Sequence, residues 1–316
     1  MRKLVVALLV VEAGLAAACG FIVLRIQEIG RTAPARMPAG ESELVWFDRA
    51  GRTIERLRAP GKAVDVRLSP DHRAVLCNVL APGRSSIWRI PLEGGAISQV
   101  TPDGVRTARP VWSPDGRRFA YMAWPGGRIQ IRQSASASSG DELLVGAQED
   151  ASAVPEDWSP EGGLLYSRFY LSARHGLWIL PLRRPGEPQY IAAAGDNAYE
   201  GRFSPDGRWI AFTTLDSGQE EVQVATVGAG QARRVSPSGG HAPQWAHSGE
   251  EIFYIDQQGC LAAAPWKDGA AGTPIRLFAL PARDPAIEFG YRFGGFAPDP
   301  QGRRFLVALE KNAPKR

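Results

Sequence analysis

The sequence predicts an all-β fold, a six-bladed β-propeller of four-stranded blades, preceded by one N-terminal transmembrane helix. Three observations predict the propeller. A turn signature recurs six times at propeller spacing, and each copy sits in the same four-strand grammar. The two strands that the last copy lacks stand at the start of the repeat region. Composition agrees: 44% hydrophobic and 22% charged residues are ordinary for a globular chain, and 35 glycines with 25 prolines imply many turns and few long helices.

The first element is the apolar run. Arg2 and Lys3 precede residues 4–24, which are apolar except for Glu12. At 1.5 Å per residue such a helix reaches about 31 Å, enough to cross a bilayer. Glu12 costs roughly 2.5–3.5 kcal/mol at the centre of such a span. Three readings compete: a signal peptide cleaved after "AAA", a lipidated Cys19 in "LAAAC", and an uncleaved signal anchor. The lipid reading meets Ala16 where a lipobox has leucine, and "GFIVL" continues apolar beyond the cysteine. The anchor uses the whole run and is preferred, giving an anchor over 1–29, a flexible linker over 30–42, a propeller over 43–310 and a tail over 311–316. A short basic N-tail, an apolar run and a large following domain predict a single-pass protein of the cell membrane, with the propeller on the extracytoplasmic (periplasmic) side.

The repeats follow. "RLSPDHRAVL", "VWSPDGRRFAY", "DWSPEGGLLY", "RFSPDGRWIAF", "QWAHSGEEIFY" and "GFAPDPQGRRFLV" place Asp71, Asp115, Glu161, Asp206, Ser248 and Asp299 at one position, spaced 44, 46, 45, 42 and 51 residues apart. In each, an inner strand ends in a large apolar residue (Leu68, Trp112, Trp158, Phe203, Trp245, Phe296), and a bend and an alternating strand follow. Proline presets φ for the first turn position, aspartate bonds to nearby amides and glycine takes the left-handed position. Six copies of a catalytic serine make no sense, whereas six copies of a turn do. Third strands such as "SIWRIPL" and fourth strands such as "ISQVT" complete the blades. After "RRFLVAL" only a tail remains, so "LVWFD" and "TIERL" (residues 44–48 and 53–57) are predicted to complete the sixth blade and close the ring.

"WSPDGRRFAY", "FSPDGRWIAF" and "LVWFDRAGR" resemble the WD40-like repeats of TolB-type six-bladed propellers, including stand-alone and kinase-appended bacterial versions. The resemblance covers about residues 42–309 and implies the fold rather than a site. The α/β domain that precedes the TolB propeller has no counterpart here, nor do a kinase Gly-rich loop, HRD or DFG, nor the G-x-S-x-G of propeller peptidases.

Charge and cysteines narrow the function. The net charge is +4, and arginines such as Arg117 and Arg208 follow turn glycines, so no nucleic-acid stripe forms. Cys77 and Cys260 show no metal spacing and are expected to be buried free thiols. The histidines His72, His175, His241 and His247 are dispersed, so neither metal nor cofactor is expected. Asp65, Arg67, Arg109, Glu156, Asp157, Glu200, Arg202, Gln244 and Arg292 precede the inner-strand anchors by one to four residues. Charges there must line a wet channel or pair across it. The longer connections, after the second and fourth strands, are expected on the face with the channel entrance. Recognition residues concentrate on such loops. The candidate binding residues there are Arg109, Trp124, Tyr170, His175, Asn197, Tyr199, Glu200, Arg202, His241, Tyr291 and Arg292. The expected function is non-catalytic binding of a protein or peptide partner or an envelope ligand by a monomeric scaffold or sensor. A hydrolase or lyase using the channel is the alternative, and a regulatory partner of a separately encoded kinase or transporter is a third.

Overall fold

The structure is a computed structural model that describes residues 42–310 except 128, 136–140, 147–150, 171–175, 184–185, 229, 282–285, 289–290 and 294. The apolar run, Cys19, the linker up to residue 41 and the tail over 311–316 lie outside the described residues. Among the described residues no helix is long and apolar enough to cross a membrane.

Six antiparallel sheets form the blades. The inner strands are Lys62–Leu68, Thr107–Trp112, Ala151–Trp158, Ala198–Phe203, Gly240–Trp245 and Phe296–Pro298, for blades 1 to 6 in turn. Each of the first five is followed in register by its own second strand, as Trp112 opposite Phe119 shows. Blade 5 takes Ile275–Ala279 as its outer strand against Cys260–Lys267.

The bend between the first two strands is built as the residues require. In blade 2 the Ser113 amide bonds Arg118 O at 2.8 Å and the Gly116 amide bonds Ser113 O at 2.9 Å. Ser113 Oγ donates to Asp115 Oδ1 at 2.6 Å and accepts the Arg118 amide at 3.0 Å. Blades 1 and 4 repeat the serine–aspartate bond at Ser69–Asp71 and Ser204–Asp206. The motif is a turn.

The apolar residues of each sheet meet those of the next, so the core lies between blades. Ala211, Val222 and Val224 of blade 4 pack with Trp245, Ile252 and Tyr254 of blade 5, and Leu44 and Trp46 of blade 6 pack with Val66 and Val75 of blade 1. Cys77 is buried in the latter cluster, and burial pushes its thiol up to about 12. Cys260 is free too but only half-buried, which corrects the expectation of two buried thiols: it opens its strand beside the blade edge.

The ring closes as the sequence predicts. Ser42–Asp48 lies between Arg304–Glu310 and Thr53–Ala59, with Ser42 opposite Glu310 and Asp48 opposite Arg304. At the following turn Arg49 grips Glu251 of blade 5 through two bonds of 2.8 and 2.9 Å and donates to Gly302 O at 2.9 Å. Inner strands run toward the Pro-Asp-Gly turns, so second strands run away from them. Glu310 ends a second strand and Ser42 pairs with it, so the described chain starts and ends on the face opposite those turns.

A second expectation needs correction. Arg292 was expected on the inner strand of blade 6, but Tyr291–Phe293 pairs with Ala286–Glu288 in a separate hairpin, Arg292 opposite Ile287. The last repeat spacing is the longest, and the added residues pair with one another, leaving a three-residue inner strand, Phe296–Pro298.

Candidate functional site

The inner strands do not run straight. In blades 1, 2, 4 and 5 the pairing register shifts three residues before the anchor, and Asp65, Arg109, Glu200 and Ala242 take left-handed φ of 52°, 56°, 54° and 54°. Proline cannot adopt that φ. Blade 3 has Pro155 at the equivalent position and instead leaves Glu156 as the extra residue of its bulge. Bulges re-aim side chains, and here they set a ring of charges around the axis.

These charges pair as the channel reading requires. Arg109 Nη2 donates to Glu156 Oε2 at 3.0 Å, Arg202 Nη1 lies 3.7 Å from the same oxygen, and Ser167 donates to Glu156 Oε1 at 2.8 Å. Arg67 Nη2 stands 3.2 Å from Asp65 Oδ1. Asp157 accepts the Trp158 and Phe203 amides at 2.9 and 2.7 Å, while burial raises its pKa against the pull of Arg202. Glu200 accepts Thr213 Oγ1 and the Ala242 amide, both at 2.8 Å. Burial would raise its pKa, but His241, Arg109 and these bonds outweigh burial and hold it below the usual carboxylate range.

A cavity of about 380 Å³ opens from this ring. Arg67, Glu156, Asp157, Arg202 and Gln244 line its depth; Trp112, Trp158, Phe203, Trp245 and Phe296 form its walls. Indole donors tie two of those walls across blade boundaries, Trp112 Nε1 to Arg67 O and Trp245 Nε1 to Arg202 O, each at 3.1 Å. The rim is made of turn residues: Pro70, Pro114, Pro160, Pro205 and Pro300, with His72 and His247. The two imidazoles meet edge to face, 6.5 Å apart. His72 occupies the turn-glycine position at a φ of 58°. Burial and then the charge of His247 hold its pKa below the ordinary imidazole value.

The cavity therefore opens on the face of the short turns, whereas the sequence reading places the binding residues on the longer-loop face. The candidate residues divide accordingly. Arg109, Glu200 and Arg202 are brought together at the channel wall, and only Arg202 of the three borders the cavity. Trp124 is 7% exposed and packs with Val64, Met122 and Val154, so it is core and not a recognition residue. The remaining described candidates gather away from the mouth. Tyr199 donates to Glu220 Oε1 at 2.9 Å, His241 Nδ1 lies 3.7 Å from Glu220 Oε2, and exposed Asn197 donates to Asp216 Oδ1 at 2.8 Å. His175 lies outside the described residues, as do the side chains of Tyr170, Tyr291 and Arg292. Of the cavity residues, Arg67 and Gln244 were visible as inner-strand charges and polar groups, but nothing in the sequence marked which face they open to.

A putative TolB from Agrobacterium tumefaciens has a similar solved structure, with a TM-score of 0.66 over 86% of this chain and 99% of that one, at 19% identity. The fold is that of a TolB-like propeller. TolB from Acinetobacter baumannii follows at a TM-score of 0.57 and 16% identity, over 78% of this chain and 68% of that one. In sequence, the TolB-like chain is 25% identical over 152 residues to a TolB homolog of Chlorobium luteolum, and 25% identical over 191 residues to an uncharacterized protein of Agrobacterium fabrum. Those matches take in 48% and 55% of this chain and span only 34% and 62% of the two relatives. No family model matches the chain. An oligogalacturonate lyase in complex with manganese shares the architecture at a TM-score of 0.53 and 11% identity, over 81% of this chain and 79% of that one, a likeness of fold alone.

Proposed function

We propose that the protein is a membrane-anchored, extracytoplasmic propeller that binds a protein partner at the channel mouth and acts as a scaffold or sensor without catalysis. The mouth cavity carries this reading: a proline rim and tryptophan walls surround a polar floor whose carboxylates, Glu156 and Asp157, are engaged by arginines and backbone amides. Acids held in that way support the scaffold and are poor proton shuttles. The TolB-like fold adds support for partner binding. The anchor of residues 1–29 fits the chain path, since Ser42 starts on the face opposite the mouth. A tether there would leave the mouth pointing away from the bilayer.

Site-specific photo-crosslinking in intact cells tests the site. A probe at His247, on the rim, should give a protein adduct, and a probe at Asn197, on the far face, should not. An adduct only from Asn197 would move the site to the other face, and none from either would end the partner reading.

A further inference from the structure

Arg67 stands out among the guanidinium groups of the mouth. Arg202 donates to Glu156 O and Gly201 O, both at 2.6 Å, and lies close to Glu156 as well. Among the described residues the Arg67 guanidinium has only the contact with Asp65, at 3.2 Å, and its Nε is buried without an acceptor. The other acids near the axis are committed: Glu156 to Arg109 and Ser167, Asp157 to two amides, and Glu200 to Thr213 and Ala242. Burial, and then the charges of Arg202 and Arg109, bring Arg67 down to about 10. Here a guanidinium with an unused donor borders the cavity beside carboxylates that are already engaged, while Asp65 does not line the cavity.

We propose that the mouth takes a carboxylate, gripped by Arg67 with Arg202 behind it and delivered by an acidic side chain or C-terminus of the partner chain. This rests on the reading of the mouth as the partner site. A guanidinium fork matches a carboxylate in shape as well as charge. A volume of about 380 Å³ holds a side chain and a little adjoining backbone. That is the low end of the roughly 300–1,000 Å³ common for ligand pockets. The apolar walls exclude water around the pair and so strengthen it.

Trp112, Trp158 and Trp245 line the cavity, so intrinsic fluorescence of the full-length protein in detergent can report binding. The probes are N-acetyl-Gly-Asp-Gly amide, its Asn counterpart and free glutarate. The Asp peptide should bind at least about tenfold more tightly than the Asn peptide and more tightly than glutarate. Arg67→Gln should abolish that preference, and Arg67→Lys should restore part of it. Gln244→Glu, which adds a negative charge to the lining of the same cavity while keeping Arg67, should weaken the Asp peptide alone and provides the test if Arg67 variants do not fold. Equal affinity for the Asp and Asn peptides would overturn the carboxylate inference while leaving mouth binding, read by crosslinking at His247, intact. Glutarate binding as well as the Asp peptide would overturn delivery by a partner chain and assign the mouth to free small acids.

Discussion

Arg109 and Glu156 form a 3.0 Å ion pair between blades 2 and 3, with both side chains almost fully buried at the channel wall. Glu156 also serves Arg202 of blade 4, so one carboxylate joins three blades. Glu156→Gln keeps the shape and removes the charge, leaving two buried cations short of a partner. Breaking a buried pair in this way costs about 3–5 kcal/mol, which denaturant unfolding with an unchanged m-value should register. The double variant Arg109→Met/Glu156→Met should recover much of that loss.

The turn aspartates predict an acid dependence. Hydrogen bonds from Ser69 and Ser113 are the largest causes that hold Asp71 and Asp115 below the usual carboxylate range. At Asp206 burial raises the pKa, but the Ser204 hydroxyl, the Arg208 amide and the Arg208 side chain outweigh it. A pKa lowered by folding adds stability above the unfolded value, and that stability is lost as pH falls through the folded value. Replacing all three by Asn should therefore flatten the decline of melting temperature below about pH 4. At neutral pH, Asp115→Ala alone should cost about 0.5–2 kcal/mol and leave partner binding intact.

Removal of residues 1–40 should leave a cooperative, soluble fold. Extending the deletion through Ala59 removes Ser42–Asp48 and Thr53–Ala59 and uncovers the edge of Arg304–Glu310. Aggregation, or a melt that has lost cooperativity, is the expected result by light scattering and calorimetry. An equally sharp melt for both deletions would refute the closure.

Orientation is checked with a reporter fused after Arg316. A reporter that matures only outside the cytoplasm should be active, and activity of a cytoplasm-only reporter would reverse the assignment of sides.

The repeats were legible because a turn motif is local: Ser113, Asp115 and Gly116 bond to one another and to Arg118, so their types record their geometry. The closing strands were legible by subtraction, since the last repeat lacked two. Channel pairing followed from charge at positions that cannot be solvated singly, as Arg109 with Glu156 bears out. The side of the mouth was not legible, because it depends on how six turns converge. The left-handed bulge left no signal either, since Asp65, Arg109, Glu200 and Ala242 share no side-chain chemistry. Trp124 misled because tryptophan suits an interface and a blade boundary equally well.

The pairing of Ser42–Asp48 with Arg304–Glu310 also sets a schedule for synthesis. The first strands of the ring leave the ribosome long before the strand they must join. At about 5–20 residues per second the wait is on the order of ten to fifty seconds. During it Leu44, Val45, Trp46 and Phe47, all buried in the finished ring, have only their own hairpin for company. The nascent chain thus carries an apolar strand with one edge unpaired until residues 304–310 emerge. Chaperone demand should accordingly peak late in translation and fall sharply once Glu310 is free to pair.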